Sequence, residues 1–262
     1  MDLGLKGKRA LVMGASKGLG RAIADSLAAE GAHLVISGRT QASLDEAAAA
    51  MVAAGAASAH GVPADVANAA DMDRLGDEAT RLMGGVDILV LNHGGPPPGT
   101  ALEITEAQIA EWFPKIVLHP IRLAMKLLPA MRAQKWGRII TVGSTGMVQP
   151  IPNLALSNIL RASIVGWNKS LSSEVAGDNV TCNILAPGAI LTDRQRETQG
   201  NLAAKRGVPV EQVMKERAAT IPAGRIGDAK EFGPMGAFLA SEMGSYMTGS
   251  IIRVDGGVVR AF

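Results

Sequence analysis

The sequence predicts a doubly wound α/β fold: a mostly parallel sheet with helices on both faces, formed as a single domain. Three observations point to it. Short apolar runs alternate with longer segments of helical period, which is the β-α-β rhythm. The first five runs are nearly continuous in apolar character, as strands buried on both faces must be. A glycine-rich segment then joins the first run to the first helical segment.

In order along the chain, the expected strands are Arg9–Met13, His33–Ser37, Val86–Leu91, Arg138–Val142, Val180–Leu185 and Ile251–Val254, with a further strand ending near Asp65. The first helices are expected at Gly18–Glu30, Gln41–Ala54 and Asn68–Met83, and a later one at Asn153–Ala176. Pro120 within a helical stretch predicts a kink, because its ring displaces the carbonyl of Ile116 and removes a hydrogen bond. Between Ala186 and Gly227 a polar, helix-prone insertion breaks the rhythm. Its span 190–223 is either a substrate-side lid or a solvated helical hairpin.

Composition narrows the function classes. With 262 residues, 47% hydrophobic and 19% charged, the chain has enough apolar surface to order a full core. The 26 Lys and Arg against 24 Asp and Glu leave a net charge of +2 without a basic block, so nucleic acid is not an expected partner. The single cysteine, Cys182, forms no internal disulfide, and no Cys/His spacing suits a metal. Neither a signal peptide in Met1–Arg9 nor an apolar run of about 18 residues is present, so a cytoplasmic chain without membrane contact is expected.

The run Gly14-Ala15-Ser16-Lys17-Gly18-Leu19-Gly20 follows a strand and opens a helix. There, backbone N–H groups and the helix dipole receive a pyrophosphate, as in Rossmann-type dinucleotide sites; the bland alternative is a tight turn. No Lys-Ser or Lys-Thr pair follows, which disfavours triphosphate hydrolysis. The second strand ends in Gly38-Arg39-Thr40, without the carboxylate that would bond the ribose hydroxyls of NAD. Lys17 and Arg39 can instead grip a 2′-phosphate, so NADP(H) is the expected cofactor; otherwise both are solvated surface cations. Asp65, followed by Val66, either accepts from an adenine amino group or caps the next helix.

Over Lys8 to Gly257 these residues resemble the short-chain dehydrogenase/reductase family. The segments Ile221–Arg225, Phe238–Ser241, Tyr246–Gly249 and Val254–Gly257 are especially similar to its 3-oxoacyl-carrier-protein reductase branch. The resemblance implies that Asn92 and Gly94 face the cofactor, with His93 where a methyl is usual. Pro187 and Gly188 would lie beside the nicotinamide, and Ile190 and Thr192 would bond its carboxamide and the phosphates. It also implies a homotetramer built through the helices containing Leu118–Gln134 and Asn153–Ala176.

The family transfers a hydride between nicotinamide and a carbonyl or alcohol. Serine holds the substrate oxygen, tyrosine moves the proton, lysine lowers the tyrosine pKa, and asparagine anchors a relay water. Ser144 matches the serine, but Ser157 stands at the tyrosine position, Arg161 at the lysine and His119 at the asparagine. Tyr246, the single tyrosine, matches a structural segment and is expected to pack. Arg161 can still hold the ribose, whereas Ser157 is a poor proton donor. An imidazole of ordinary pKa exchanges protons near neutrality, so His93 and His119 join Ser144, Ser157 and Arg161 as candidate catalytic residues. The expectation is an NADP(H)-dependent reductase of a small carbonyl, such as a 3-oxoacyl thioester or polar ketone, with a non-standard proton donor. The alternatives are a catalytically silent NADP(H)-binding protein and, third, a dehydratase or lyase using His93 or His119 as base.

Overall fold

The computed structural model describes residues 2–261. Seven strands form one sheet: β1 (Arg9–Val12), β2 (His33–Gly38), β3 (Ser58–Pro63), β4 (Ile88–Leu91), β5 (Gly137–Val142), β6 (Val180–Pro187) and β9 (Ile251–Val254). Their order is β3-β2-β1-β4-β5-β6-β9, and every pair is parallel. The chain leaves β1 towards β2 on one side and returns beyond it to β4 on the other, so the strand order reverses between β1 and β4. A crevice opens there above the carboxyl ends of the strands.

Nine helices accompany the sheet among the described residues. On one face α1 (Gly18–Ala29) and α9 (Ala229–Ala240) pack with α2 (Gln41–Ala53); Ile23, Leu27, Leu44 and Phe232 are wholly buried there against Val12, Leu34 and Ile36. The other face carries α3 (Ala69–Met83), α5 (His119–Ala133) and α6 (Ala155–Val175), whose Leu75, Leu123 and Leu171 cover Leu11, Leu89 and Ile139. Side chains alternate along each strand, so Leu11 and Val12 enter different cores. Both faces are therefore dry, which is why these strands read as continuous apolar runs.

Several boundaries differ from the sequence reading for local reasons. The third strand stops at Pro63, two residues before Asp65. Asn68 is not the first residue of α3 but its cap, its Oδ1 accepting from the Ala70 N–H at 3.0 Å. The expected helix start at Asn153 moves to Ala155, since Asn153 has φ +59° and cannot be helical. The sharp kink expected at Pro120 is absorbed instead by a π turn over Pro114–Leu118, between α4 (Glu106–Phe113) and α5. There the His119 N–H bonds the Pro114 carbonyl, so the missing Pro120 donor falls at a helix start. Tyr246, expected to pack, is fully exposed; it precedes the edge strand β9 at its amino end, whereas the crevice lies at the carboxyl ends of the central strands.

The polar insertion folds as a helical hairpin, α7 (Asp193–Arg206) and α8 (Val210–Ala219), closed by Arg206 on Glu216 at 2.6 and 3.1 Å. A two-residue parallel pair, β7 (Ile190–Leu191) with β8 (Gly227–Asp228), ties its ends together beside β6. Only Ala203 and Val213 of the two helices are buried, which suits an element that rests on the body without belonging to its core.

At the far end of the sheet Asp87 accepts from Arg9 Nε at 2.8 Å and from its backbone N–H at 2.9 Å, joining the starts of β1 and β4. Burial alone would raise this carboxyl, but the hydrogen bonds and charge of Arg9 outweigh it and hold the pKa below the ordinary carboxylate value. Asp87→Ala leaves Arg9 without its partner and is expected to cost about 3 kcal/mol in urea unfolding, against little for an exposed carboxylate such as Asp77→Ala. Equal losses would show that the Arg9–Asp87 pair does not hold the two strands together.

Candidate active site

The crevice is lined first by the glycine turn. Gly14 has φ +58°, and a Cβ there would lie 2.8 Å from Asn92 Nδ2. Only glycine fits. Asn92 in turn donates from Nδ2 to the carbonyls of Met13 and Gly14 at 3.2 and 3.1 Å, so the end of β4 fixes the turn that follows β1. The helix it opens carries no side-chain cap at Lys17 and no acidic residue in its first turn. Its leading N–H groups are left for an anion. Lys17 and Arg39 are exposed and form no ion pair among the described residues, and Gly18 faces Thr192 across the mouth, with 3.8 Å left between a Cβ on Gly18 and the threonine methyl. These features fit a dinucleotide with its pyrophosphate at Gly18–Gly20 and a further phosphate at Lys17 and Arg39.

Other residues at this end are locked by local bonds. Asp65 Oδ1 accepts from the Ala67 N–H at 2.9 Å, closing a short turn; with Asn68 as the helix cap, the capping alternative for Asp65 is removed. Thr192 caps α7 through the Gln195 N–H at 3.3 Å. Ile190 is buried in the β7–β8 pair, beneath Gly227, and Pro187 and Gly188 close β6. His119 donates from Nδ1 to the Val66 carbonyl, which ties it to the loop after β3. This bond uses the imidazole as a brace between α5 and that loop.

At the other end stand Ser144, Ser157 and Arg161. Ser144 follows β5, and its Oγ accepts from the Gly146 N–H at 3.0 Å. Its hydroxyl hydrogen is left to donate into the crevice. Ser157 and Arg161 lie one turn apart on α6, and Arg161, 9% exposed, donates from Nη1 to the Val142 carbonyl at 3.0 Å. That carbonyl is two residues before Ser144, so the guanidinium and the serine share one wall. The Gly94–Thr100 segment is tied to the start of α6 by Gly99 N–H to Asn153 O at 2.8 Å and Ala155 N–H to Gly99 O at 3.2 Å.

His93 sits beside this wall, with Nδ1 bonded to the Gly94 carbonyl at 2.7 Å. A carbonyl only accepts, so Nδ1 carries the hydrogen and Nε2 keeps its lone pair. Desolvation first, and then the Arg161 charge, push its pKa down to about 4. The expectation of proton exchange near neutrality is thereby corrected: His93 is neutral at physiological pH. Arg161 is itself pulled down to about 10, by burial and then by Arg194, and still carries its charge at pH 7. Sequence reasoning placed Arg194 only in the lid. Its position two residues after Thr192, in the first turn of α7, was the available signal.

A family profile described as "Enoyl-(Acyl carrier protein) reductase" matches residues 14–259. The 3-oxoacyl-[acyl-carrier-protein] reductase FabG of Escherichia coli is 33% identical over 258 residues, 98% of this chain and 99% of that one. The chain belongs to the short-chain dehydrogenase/reductase family. Dehydrogenase/reductase SDR family member 4 of Sus scrofa is 34% identical over 97% of this chain and 88% of its own length. Among solved structures, L-sorbose reductase from Gluconobacter frateurii, complexed with NADPH and L-sorbose, superposes with a TM-score of 0.95 at 33% identity over the whole of both chains. Actinorhodin polyketide ketoreductase with NADPH superposes with a TM-score of 0.90 at 27% identity, covering 96% of this chain and 97% of that one.

The histidines give a direct test of the site's electrostatics. In an NMR titration of the four imidazoles, His93 is expected to stay neutral from pH 8 down to about pH 5 and to protonate near 4. The transition near 4 should vanish in His93→Asn. A His93 midpoint near 6.5 would mean that the ring is neither desolvated nor close to the Arg161 charge.

Proposed function

We propose that this short-chain dehydrogenase/reductase reduces a small carbonyl compound with NADPH, or runs the reverse oxidation, through a proton path that uses neither tyrosine nor lysine. It is an NADP(H)-dependent oxidoreductase acting on a CH-OH/C=O couple. The carrying observation is the wall formed by Ser144 and Arg161, a free hydroxyl donor beside a buried guanidinium bonded to Val142. Ser144 follows the carboxyl end of β5, as the uncapped start of α1 follows that of β1.

NADPH, when bound, supplies the hydride. Asn92, Gly94, Pro187 and Gly188 border the nicotinamide end, Lys17 and Arg39 take the 2′-phosphate, and Asp65 and Val66 the adenine side. Ile190 and Thr192 hold the carboxamide and the phosphates across from Gly14, Ser16, Gly18, Leu19 and Gly20. Ser144 donates to the substrate oxygen and polarises the carbonyl. Arg161 spends one donor on Val142 and has others for the ribose hydroxyls. Its fixed charge also favours the alkoxide that develops on the oxygen. Water at Ser157 delivers the final proton, since neutral His93 is too weak an acid and His119 is bonded to Val66. The α7–α8 hairpin is the lid. Met125 on α5 and Ile159 on α6 leave about half their surface open, and we take the outer sides of these two helices for the contacts of a homotetramer.

The weak acidity of every group beside Ser144 also favours a second reading, an NADP(H)-binding protein without turnover, and one experiment separates the two. NADPH is expected to bind with micromolar or better affinity, and to be oxidised by at least one member of a panel of ketones, aldehydes, sugars and 3-oxoacyl thioesters. Ser144→Ala should lower kcat/KM about 100-fold with little change in NADPH affinity. Binding without turnover across the panel would leave only the second reading.

The charge pattern at the second strand gives an independent check. Arg39→Ala is expected to weaken NADPH binding about tenfold or more and NADH binding hardly at all, measured by calorimetry. Equal losses for both would remove the 2′-phosphate assignment.

Ser157→Tyr combined with Arg161→Lys supplies the missing proton donor and its neighbour. It is expected to raise kcat at least about tenfold and to introduce a phenol ionisation into the pH–rate profile. No gain, with the fold and NADPH binding intact, would show that proton delivery does not limit the reaction.

A further inference from the structure

Two guanidinium groups meet over the Gly94-Gly95 pair without an acid between them. Arg194, from the first turn of α7, donates from Nη2 to the Gly95 carbonyl at 3.2 Å, reaching across the crevice from the lid. A Cβ on Gly95 would lie 3.7 and 3.8 Å from the two terminal nitrogens of Arg194 and 3.8 Å from Arg161 Nη2; one on Gly94 would lie 3.6 Å from Arg194 Nη1. Arg161 is buried, with Val142 O as its one acceptor among the described residues. Among the described residues neither arginine belongs to an ion pair, although thirteen such pairs occur elsewhere. The third group at the site, His93, is a neutral ring.

Like charges this close repel, and burial of one of them in a dry wall strengthens the repulsion. An anion placed between them reverses the sign of the interaction and satisfies the free edges of both planar forks. The site is compact: its floor is a glycine dipeptide with no side chains, and Ser144 lies along the same wall. Pyrophosphate has its own seat at the start of α1, opposite Thr192, and a third phosphate has Lys17 and Arg39. What remains for the two arginines is a small flat anion next to the reacting carbonyl.

We propose that the substrate is an oxo acid in its free form, its carboxylate clamped between Arg194 of the lid and Arg161 of the wall while Ser144 holds the keto oxygen. This rests on the reductase reading above and adds the substrate class to it. Arg194 then links specificity to closure: the carboxylate replaces Gly95 as the partner that draws α7 over the crevice. A thioester or a sugar offers no charge at this point.

The test compares 2-oxobutanoate and 3-oxobutanoate with the corresponding neutral amides, by NADPH oxidation and by calorimetry. For the calorimetry, 3-hydroxybutanoate and its amide are titrated into the NADPH-loaded protein, where no turnover occurs. At least one oxo acid is expected to exceed its amide at least tenfold in kcat/KM, with a similar preference in hydroxy-acid affinity. In Arg194→Gln that preference should collapse towards one, and Arg194→Lys should retain part of it. NADPH affinity should stay within about twofold in both variants. Arg194 is exposed, so neither change threatens the fold. Equal handling of acids and amides by the unaltered protein would overturn the oxo-acid proposal while leaving the reductase reading in place. A loss of NADPH affinity in Arg194→Gln, as large as the loss of acid preference, would overturn it too by assigning Arg194 to a cofactor phosphate. Failure of NADPH to bind the unaltered protein would instead remove the reductase reading, and this assignment with it.

Discussion

Asn92 holding the turn after β1 is the interaction on which the site depends. A parallel sheet buried on both faces offers a ligand only the ends of its strands, and the reversal of strand order between β1 and β4 makes one of those ends a crevice. The two strands meet there, and the Asn92 amide fixes the Met13 and Gly14 carbonyls. With the turn fixed, the start of α1 points its unbonded N–H groups into the crevice. Gly14 admits no side chain because that same amide occupies the space.

The opposite wall is organised by a second backbone carbonyl. Val142 O, at the end of β5, takes the Arg161 guanidinium and so sets α6 against the strand that leads into Ser144. Burial of this cation shapes its surroundings. Desolvation first and then the Arg161 charge hold His93 neutral, and Arg161 is itself pulled down by its own burial and then by Arg194. The pocket is therefore electropositive without a proton donor of suitable acidity. Fixed donors of this kind stabilise negative charge on a bound molecule. The α7–α8 hairpin contributes the more exposed of the two cations, from an element with little buried surface.

Much of this was legible in the chain. Continuous apolar runs follow directly from two-sided burial, and the glycine spacing from a turn that must admit both a positive φ and a close neighbour. Ser157 and Arg161 could be paired in advance because one helical turn separates them, whereas Ser144 was joined to them only through the family resemblance. Boundaries at Pro63, Asn68 and Ala155 were less legible, since a cap, a prolyl ring or a single left-handed residue decides them locally. The kink expected at Pro120 became a π turn because the bundle keeps α4 and α5 continuous across it.

Periodicity, turn chemistry and side-chain identity along the chain determined the fold class, the dinucleotide-binding turn and the presence of serine and arginine on one face of α6, since each depends only on neighbours in sequence. Which titratable groups share a pocket was decided by the tertiary structure alone. His119 went to the Val66 carbonyl, His93 lost its positive charge to burial beside Arg161, and Arg194 crossed from α7 to Gly95. The physical reason is that desolvation and Coulomb energy depend on distance through space, and residues 93, 161 and 194 lie too far apart in the chain for any local pattern to record their meeting.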